Sequence, residues 1–296
     1  LHSIRTRVPG SNSFLVFMKI ELKNTACFGV AGNFTGHLEQ AGEAADFVSV
    51  AAAENAPKAV FPTYIPGACG TVPSFLGVFP FDSLEIRFPE GEKKVQIEPE
   101  CAVVFRAHWN GDVIESLEPL CFGASNDCSI RKEGAKKISL KKNWGASSKG
   151  FSSSLIPIDF FSAGGILDRY RIASFLVRGG TVYEYGEDSA VRNYSYIYGT
   201  LLEWLLDKLN GQRDEGPAEN INGYLNECGR PEQIMISIGA TRYTPFGQNN
   251  FLQNGDESVV VLYPEDVYNS EQIKTMVLEN DFPQADISVL RQKVVL

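Results

Sequence analysis

Glu98-Pro99-Glu100-Cys101-Ala102-Val103-Val104-Phe105 is the stretch on which the reading of this chain turns. The apolar run from Cys101 to Phe105 reads as a short strand entering a core. Residues two apart on a strand share a face, so Glu98 and Glu100 stand side by side at its mouth. Like charges that close repel, and such a pair has a cation, a shared proton or open water beside it. A third acid follows a second apolar run, in Ser125-Asn126-Asp127-Cys128-Ser129-Ile130-Arg131. Two Glu and one Asp make an all-oxygen set of the kind that magnesium or manganese takes.

Working outward, the chain has 296 residues, enough for one large domain or two small ones. Its net charge of -9 leaves no basic surplus for phosphates, which argues against a general nucleic-acid binder. No apolar run has the length of a membrane span. The six cysteines lie at 27, 69, 101, 121, 128 and 228, with no CxxC pair, and read as reduced thiols of a cytoplasmic protein. Phe14-Leu15-Val16-Phe17 is too short for a signal-peptide core. Met18-Lys19 looks like a natural start, so residues 1–17 are set apart as an artefactual or upstream segment.

Cys27-Phe28-Gly29-Val30-Ala31-Gly32-Asn33 reads as a strand ending in a Gly-rich turn, and 37–48 as a helix. Pro and Gly punctuate 57–89 densely enough to exclude long helices and central strands. Strand-like runs follow at 101–105, 119–124, 155–158, 171–177, 234–238 and 258–262. A helix is predicted over 195–209, with Leu201, Trp204, Leu205 and Leu209 at helical spacing and Asn210-Gly211 closing it. A second is predicted over 270–279, and 213–222 as a charged surface loop. The fold class is mostly β with peripheral helices (α+β). Residues 18–90 are expected to form an N-terminal region with the Pro/Gly-rich segment and a loop over His37 that could act as a lid, and 91–296 the main β domain.

An isolated Glu-x-Glu on an exposed strand is more often simply solvated. Its place ahead of an apolar strand, the Asn-Asp-Cys-Ser-Ile-Arg context of Asp127, and Lys149 in the Gly/Ser-rich turn 145–151 favour a site instead. A Gly/Ser loop lets its backbone approach a ligand closely, and a lysine there can counter an anion. His37 opens the first helix. It reads either as a packing residue or as a base on a mobile loop, since its ordinary pKa suits proton transfer near neutrality. With His108 read as a surface residue, a His-based zinc site is unsupported. Gly29-x-x-Gly32 lacks the rest of a dinucleotide fingerprint, and Ser152-Ser153-Ser154 has no nucleophile-elbow context.

The order of these motifs resembles that of the fumarylacetoacetate hydrolase superfamily, in its divergent single-catalytic-domain members. The matching stretches are Gly32-Asn33-Phe34-Thr35-Gly36-His37, Glu98-Pro99-Glu100, Asn126-Asp127-Cys128-Ser129-Ile130-Arg131, Trp144 to Phe151, and Ile238-Gly239-Ala240-Thr241. The resemblance implies a β-roll of mixed sheets, a homodimer, and a divalent metal, Mg2+ or else Mn2+ or Ca2+. It implies Glu98, Glu100 and Asp127 as metal ligands, His37 and Lys149 as catalytic residues, and Arg131 and Thr241 as substrate-binding residues. The expected partner is a small anionic 2-oxo acid or 1,3-diketone. The expected reaction is hydrolytic C–C cleavage of an acylpyruvate type through a metal-stabilised enolate. A decarboxylase, an isomerase or a non-catalytic metabolite-binding relative stays open as an alternative.

The chain departs from the pattern in four places, one of them the family's Phe-x-Lys-Pro segment, which has no clear counterpart beyond Ala59-Val60-Phe61-Pro62. The family's single-domain hydrolases and decarboxylases carry a Glu three residues after the histidine, where this chain has Gln40, which cannot take up a proton. Ser152 stands where an Asp follows the Lys-x-Phe loop. The late turn keeps Thr241 but displaces its proline to Pro245.

Overall fold

The computed structural model describes residues 2–6, 16–43, 53, 55–132, 134–283 and 285–296. Among them, the first strands in chain order are β1 (His2–Thr6), β2 (Val16–Ile20), β3 (Ala26–Ala31) and β4 (Ala59–Tyr64). Next come β5 (Glu85–Arg87), β6 (Val95–Gln96), β7 (Pro99–Asn110), β8 (Val113–Asn126), β9 (Ser129–Ile130) and β10 (Gly150–Phe151). The last are β11 (Ile156–Pro157), β12 (Tyr170–Arg178), β13 (Thr181–Ala190), β14 (Gln233–Ala240), β15 (Glu257–Pro264) and β16 (Ser288–Val295). The α-helices are α1 (His37–Ala41), α2 (Tyr198–Gly211), α3 (Ile221–Glu227), α4 (Pro245–Asn249) and α5 (Ser270–Glu279).

Two mixed sheets carry the fold. The first runs β10-β8-β7-β14-β3-β4, with β11 also on β8, and the second runs β13-β12-β15-β16-β5. Within them β14 pairs with β3 in parallel and β16 with β5 in parallel, and the other neighbours are antiparallel. Among the described residues β1 pairs only with β2, and β6 only with β9. The result is the mostly-β α+β architecture that the sequence pattern predicts, with the curled sheets that the resemblance implies.

The long hairpin β7–β8 is the spine. Cys101 to Phe105 are all completely buried, which is why that run is continuously apolar instead of alternating. Gly29 is needed where β3 meets β4, because a Cβ there would lie 2.3 Å from the Phe61 ring. Asn126, at the end of β8, ties the two sheets together. Its Nδ2 donates to Ser258 Oγ of β15 and Gln292 Oε1 of β16, each at 3.2 Å.

The helices lie outside the sheets. α2 buries Leu201, Leu205 and Leu209 in one i, i+4 row, as their spacing predicts, and starts at Tyr198, about a turn after the predicted start. α5 begins where predicted, but its cap is Asn269. The Asn269 side chain accepts the Gln272 N–H and Gln272 reaches back, a capping box worth about 1 kcal/mol. The first helix ends early. α1 stops at Ala41, and Gly42 (φ 71°) turns left-handed with its N–H on the Glu39 carbonyl. Glu43 N–H then closes on the Leu38 carbonyl at 2.9 Å. The remainder of the predicted helix, from 44, lies outside the described residues.

Candidate active site

The hairpin assembles the acids. Glu98 lies just ahead of β7, and Pro99 and Glu100 pair in register with Asn126 and Ser125 of β8. Asp127 N–H donates to the Glu98 carbonyl at 3.0 Å. Asn126 Oδ1 accepts the Glu98 N–H at 3.1 Å. Glu98, Glu100 and Asp127 are all buried, and each offers a carboxylate oxygen within 4.8 Å of the others. Glu98 and Glu100 also line one small cavity, as the strand period requires.

Three cations converge on this group, and a fourth stands behind them on Glu43. Lys142 Nζ sits 2.5 Å from Glu98 Oε2 and 2.7 Å from Asp127 Oδ2. Lys149 Nζ sits 2.9 Å from Asp127 Oδ1, donates to the Cys128 carbonyl and lies over the Trp144 ring. Arg131 reaches Glu98 Oε1 and Glu43 Oε1, both at 2.8 Å, and also bonds Gln96 Oε1 and the Tyr243 hydroxyl. Lys141 Nζ pairs with Glu43 Oε1 at 2.9 Å.

The charges are unevenly answered. Burial alone would raise the pKa of the Glu98 carboxyl, but Lys142 and Arg131 outweigh it and hold that group well below the usual range. Burial likewise opposes the Lys142 charge, yet Asp127 and Glu98 hold it firmly protonated. For Lys149 burial wins and lowers the pKa. Glu100 accepts the Gly239 N–H at 2.7 Å and is in ion-pair contact with no cation among the described residues. Burial, then Asp127 and Glu98, push its carboxyl well above the ordinary value.

His37 is buried, with Nδ1 2.8 Å from the Thr241 carbonyl. A carbonyl only accepts, so Nδ1 carries the hydrogen. Burial lowers the pKa of the ring, which leaves Nε2 as the basic nitrogen. His37 lines the same cavity as Glu98, Glu100 and Lys142. Thr241 serves this arrangement through its backbone. Its hydroxyl has no hydrogen-bond partner among the described residues and lies beside Gly186 of β13.

The structure therefore brings His37, Glu98, Glu100, Asp127, Arg131 and Lys149 into one cluster, with Thr241 as the carbonyl that orients the histidine. Lys142, Lys141 and Glu43 were not singled out from the sequence. Glu43 is six residues past His37, about 120° away round a continuing helix, and the left-handed turn at Gly42 redirects it. Lys141-Lys142 closes the basic stretch from Lys136, which reads as surface charge. The signal was the need itself, since three buried acids require nearby cations.

A divalent ion passes the test of donor chemistry: three hard carboxylate oxygens, mutually close and buried, one of them without a cation. It meets one obstacle, the Lys142 ammonium between Glu98 and Asp127. The cavity is about 10 Å³, roughly the room one water needs.

A family model described as "Family of unknown function (DUF5718)" matches residues 43–294. No curated protein matches the sequence. Among solved structures the chain is similar to that of Cg1458 with inhibitor, at 16% identity and a TM-score of 0.54, over 92% of this chain and 77% of that one. It is similar to 2-keto-3-deoxy-D-arabinonate dehydratase complexed with magnesium and 2,5-dioxopentanoate, at 15% identity and a TM-score of 0.50, over 91% and 72%. It is also similar to 5-carboxymethyl-2-hydroxymuconate delta-isomerase from Mycobacterium smegmatis, at 16% identity and a TM-score of 0.50, over 92% and 78%. These likenesses are of fold alone, and they agree with the fold that the order of the sequence motifs implies.

Proposed function

This chain belongs to the DUF5718 family, a family of unknown function, and on that premise we propose that it is a metal-assisted enzyme acting on a small 2-oxo acid or 1,3-diketone. The observation that supports the reading most is the buried Glu98–Glu100–Asp127 set beside a neutral His37. One neighbour in fold carries magnesium and a small dioxo acid in its structure, which favours Mg2+ here. A divalent cation held by the three carboxylates would supply Lewis-acid charge to an enolate oxygen.

The chain's own residues do the rest. His37 Nε2 takes a proton from the substrate carbon or from water, while the Thr241 carbonyl keeps its ring in the required tautomer. Lys149 offers an ammonium to the substrate's carboxylate or carbonyl. Arg131 fixes the Glu98 carboxylate and, in an opened site, faces the substrate. The two sheets exclude water from all of them.

Within this chemistry we propose hydrolytic cleavage of an acylpyruvate, with His37 activating the water. A second reading, isomerisation, is favoured by Gln40, and decarboxylation stays open beside it. The Gln40 amide is committed to the Tyr243 backbone, so it supplies no second base for water. The expected assembly is a cytoplasmic homodimer, and light scattering on the purified chain tests the dimer.

The deciding assay follows acylpyruvate and oxaloacetate with purified protein and Mg2+ or Mn2+, against the same metal alone and against Glu98→Gln. Pyruvate release from acylpyruvate that needs both protein and metal supports hydrolysis. Enol–keto exchange or CO2 release without it supports the second reading. Rates equal to those of free metal on every substrate overturn both.

A further inference from the structure

The Lys142 ammonium stands where a divalent ion would have to stand. Its distances of 2.5 Å to Glu98 Oε2 and 2.7 Å to Asp127 Oδ2 lie at the upper end of, or just beyond, the roughly 2.0–2.6 Å at which magnesium or calcium meets carboxylate oxygens. The ammonium is fully housed. Its third direction reaches the Asp127 carbonyl at 3.5 Å, and the Phe61 ring lies 5.0 Å away. A lysine and a divalent ion cannot share that wedge, because like charges so close cost several kcal/mol.

We propose that Lys142 is the built-in counter-cation of the Glu98–Asp127 wedge and that a divalent metal enters only by displacing it. The displaced ammonium has a carboxylate to turn to, since Glu43 lines the same cavity. Lys142 is thus a positioning residue with two stations. In one it neutralises the acids and fills the site, which accounts for a cavity of about 10 Å³. In the other it stands by Glu43 and leaves the wedge to the metal. The exchange also sets metal affinity, because each binding event must break two short buried ion pairs. This inference rests on the reading of the three acids as a metal site.

The test uses the full chain and Mn2+ as the probe. Mn2+ affinity is read by electron paramagnetic resonance in wild type, K142M and E98Q. Acetylation of Lys142 by acetic anhydride is read by peptide mass spectrometry in wild type, with and without Mn2+. Displacement predicts that K142M binds Mn2+ about tenfold or more tighter than wild type. It also predicts that Mn2+ raises the Lys142 acetylation rate severalfold. Equal Mn2+ affinity in wild type and K142M, or Lys142 acetylation indifferent to Mn2+, overturns the proposal. If K142M does not fold, the wild-type acetylation arm decides alone. Mn2+ binding that E98Q leaves intact, or that none of the three proteins shows, overturns the metal reading itself, and the displacement with it.

Discussion

Gln40 pairs with the backbone of Tyr243 through both ends of its amide. Its Oε1 accepts the Tyr243 N–H at 2.8 Å and its Nε2 donates to the Tyr243 carbonyl at 3.3 Å. The side chain thus behaves like one more strand residue and bolts the short helix α1 to the segment after β14. His37 is held on the same segment, by the Thr241 carbonyl. Gln40→Ala removes both bonds, and the expected loss of stability is about 1–2 kcal/mol by chemical denaturation. It also frees α1, so carbethoxylation of the buried His37 is expected to accelerate. Gln40→Glu keeps the acceptor but sets a carboxylate against the Tyr243 carbonyl, and it is expected to cost more than Ala. Unchanged stability and unchanged His37 reactivity in Gln40→Ala would show that the helix is held elsewhere.

Gly239 sits at φ 123°, and that conformation aims its N–H at Glu100 Oε2 from 2.7 Å. Its carbonyl meanwhile accepts the Tyr194 hydroxyl at 2.6 Å. A side chain at 239 is strained by the backbone angle, and its Cβ would come within 2.9 Å of Asn33 Cβ. Gly239→Ala is expected to destabilise by about 1–3 kcal/mol. Because Glu100 loses its backbone donor, Mn2+ affinity should fall as well. A stable Gly239→Ala protein with wild-type Mn2+ affinity would remove Gly239 from the site's architecture.

Glu98 answers two buried cations, Lys142 and Arg131. Glu98→Gln keeps the shape and removes the charge, leaving both cations short of a partner inside the protein. Breaking a buried pair in this way costs about 3–5 kcal/mol, and urea unfolding at neutral pH should read that loss. The same substitution is expected to abolish Mn2+ binding. Lys142→Met by itself should lose stability too, and Mn2+ should restore it, because a metal in the wedge replaces the missing charge. A Glu98→Gln protein as stable as wild type would mean the ion pairs break even with solvation.

The acids were legible in the sequence because two short-range rules place them. The strand period puts Glu98 and Glu100 on one face, and an antiparallel hairpin returns Asp127 beside them. The most continuous buried strands, β7, β14 and β15, were legible for a related reason, since burial on both faces leaves apolar runs. β13 was not. Its sequence Thr181–Ala190 mixes Glu, Asp, Gly and Tyr, and its burial alternates irregularly across a register shift with β12. α3 was not singled out: the predicted loop 213–222 covers only its first two residues, and its start is set by the Asn220 side chain, which accepts the Gly223 N–H. The cations were hidden for another reason. Lys142 and Glu43 enter the site through a 3-10 turn and a left-handed glycine, geometries with no periodic signature. Charge balance in the core is a property of the assembled site, and no local window of sequence carries it.

Glu219 offers a pH test away from the metal ligands. Its Oε1 accepts the Ser139 hydroxyl at 2.6 Å, and its Oε2 is buried without a hydrogen-bond partner among the described residues. Burial, only partly offset by Ser139 and Lys137, raises its pKa to about 7. A carboxyl whose folded pKa lies above its unfolded one binds its proton more tightly in the folded state. Its contribution to stability is therefore fully present below the unfolded pKa. It is lost as the pH rises through the folded value near 7. Between about pH 4.5 and pH 7.5 the loss is on the order of 3 kcal/mol. Glu219→Gln is isosteric and does not ionise, so its stability relative to wild type should rise across that window and level off above it. Ser139 belongs to the turn 138–141 that delivers Lys141 and precedes Lys142. Ionising Glu219 should therefore also loosen the segment that carries the site's cations. Parallel unfolding curves for wild type and Glu219→Gln at pH 5 and pH 8 would show that Glu219 is already ionised in the folded protein at the lower pH.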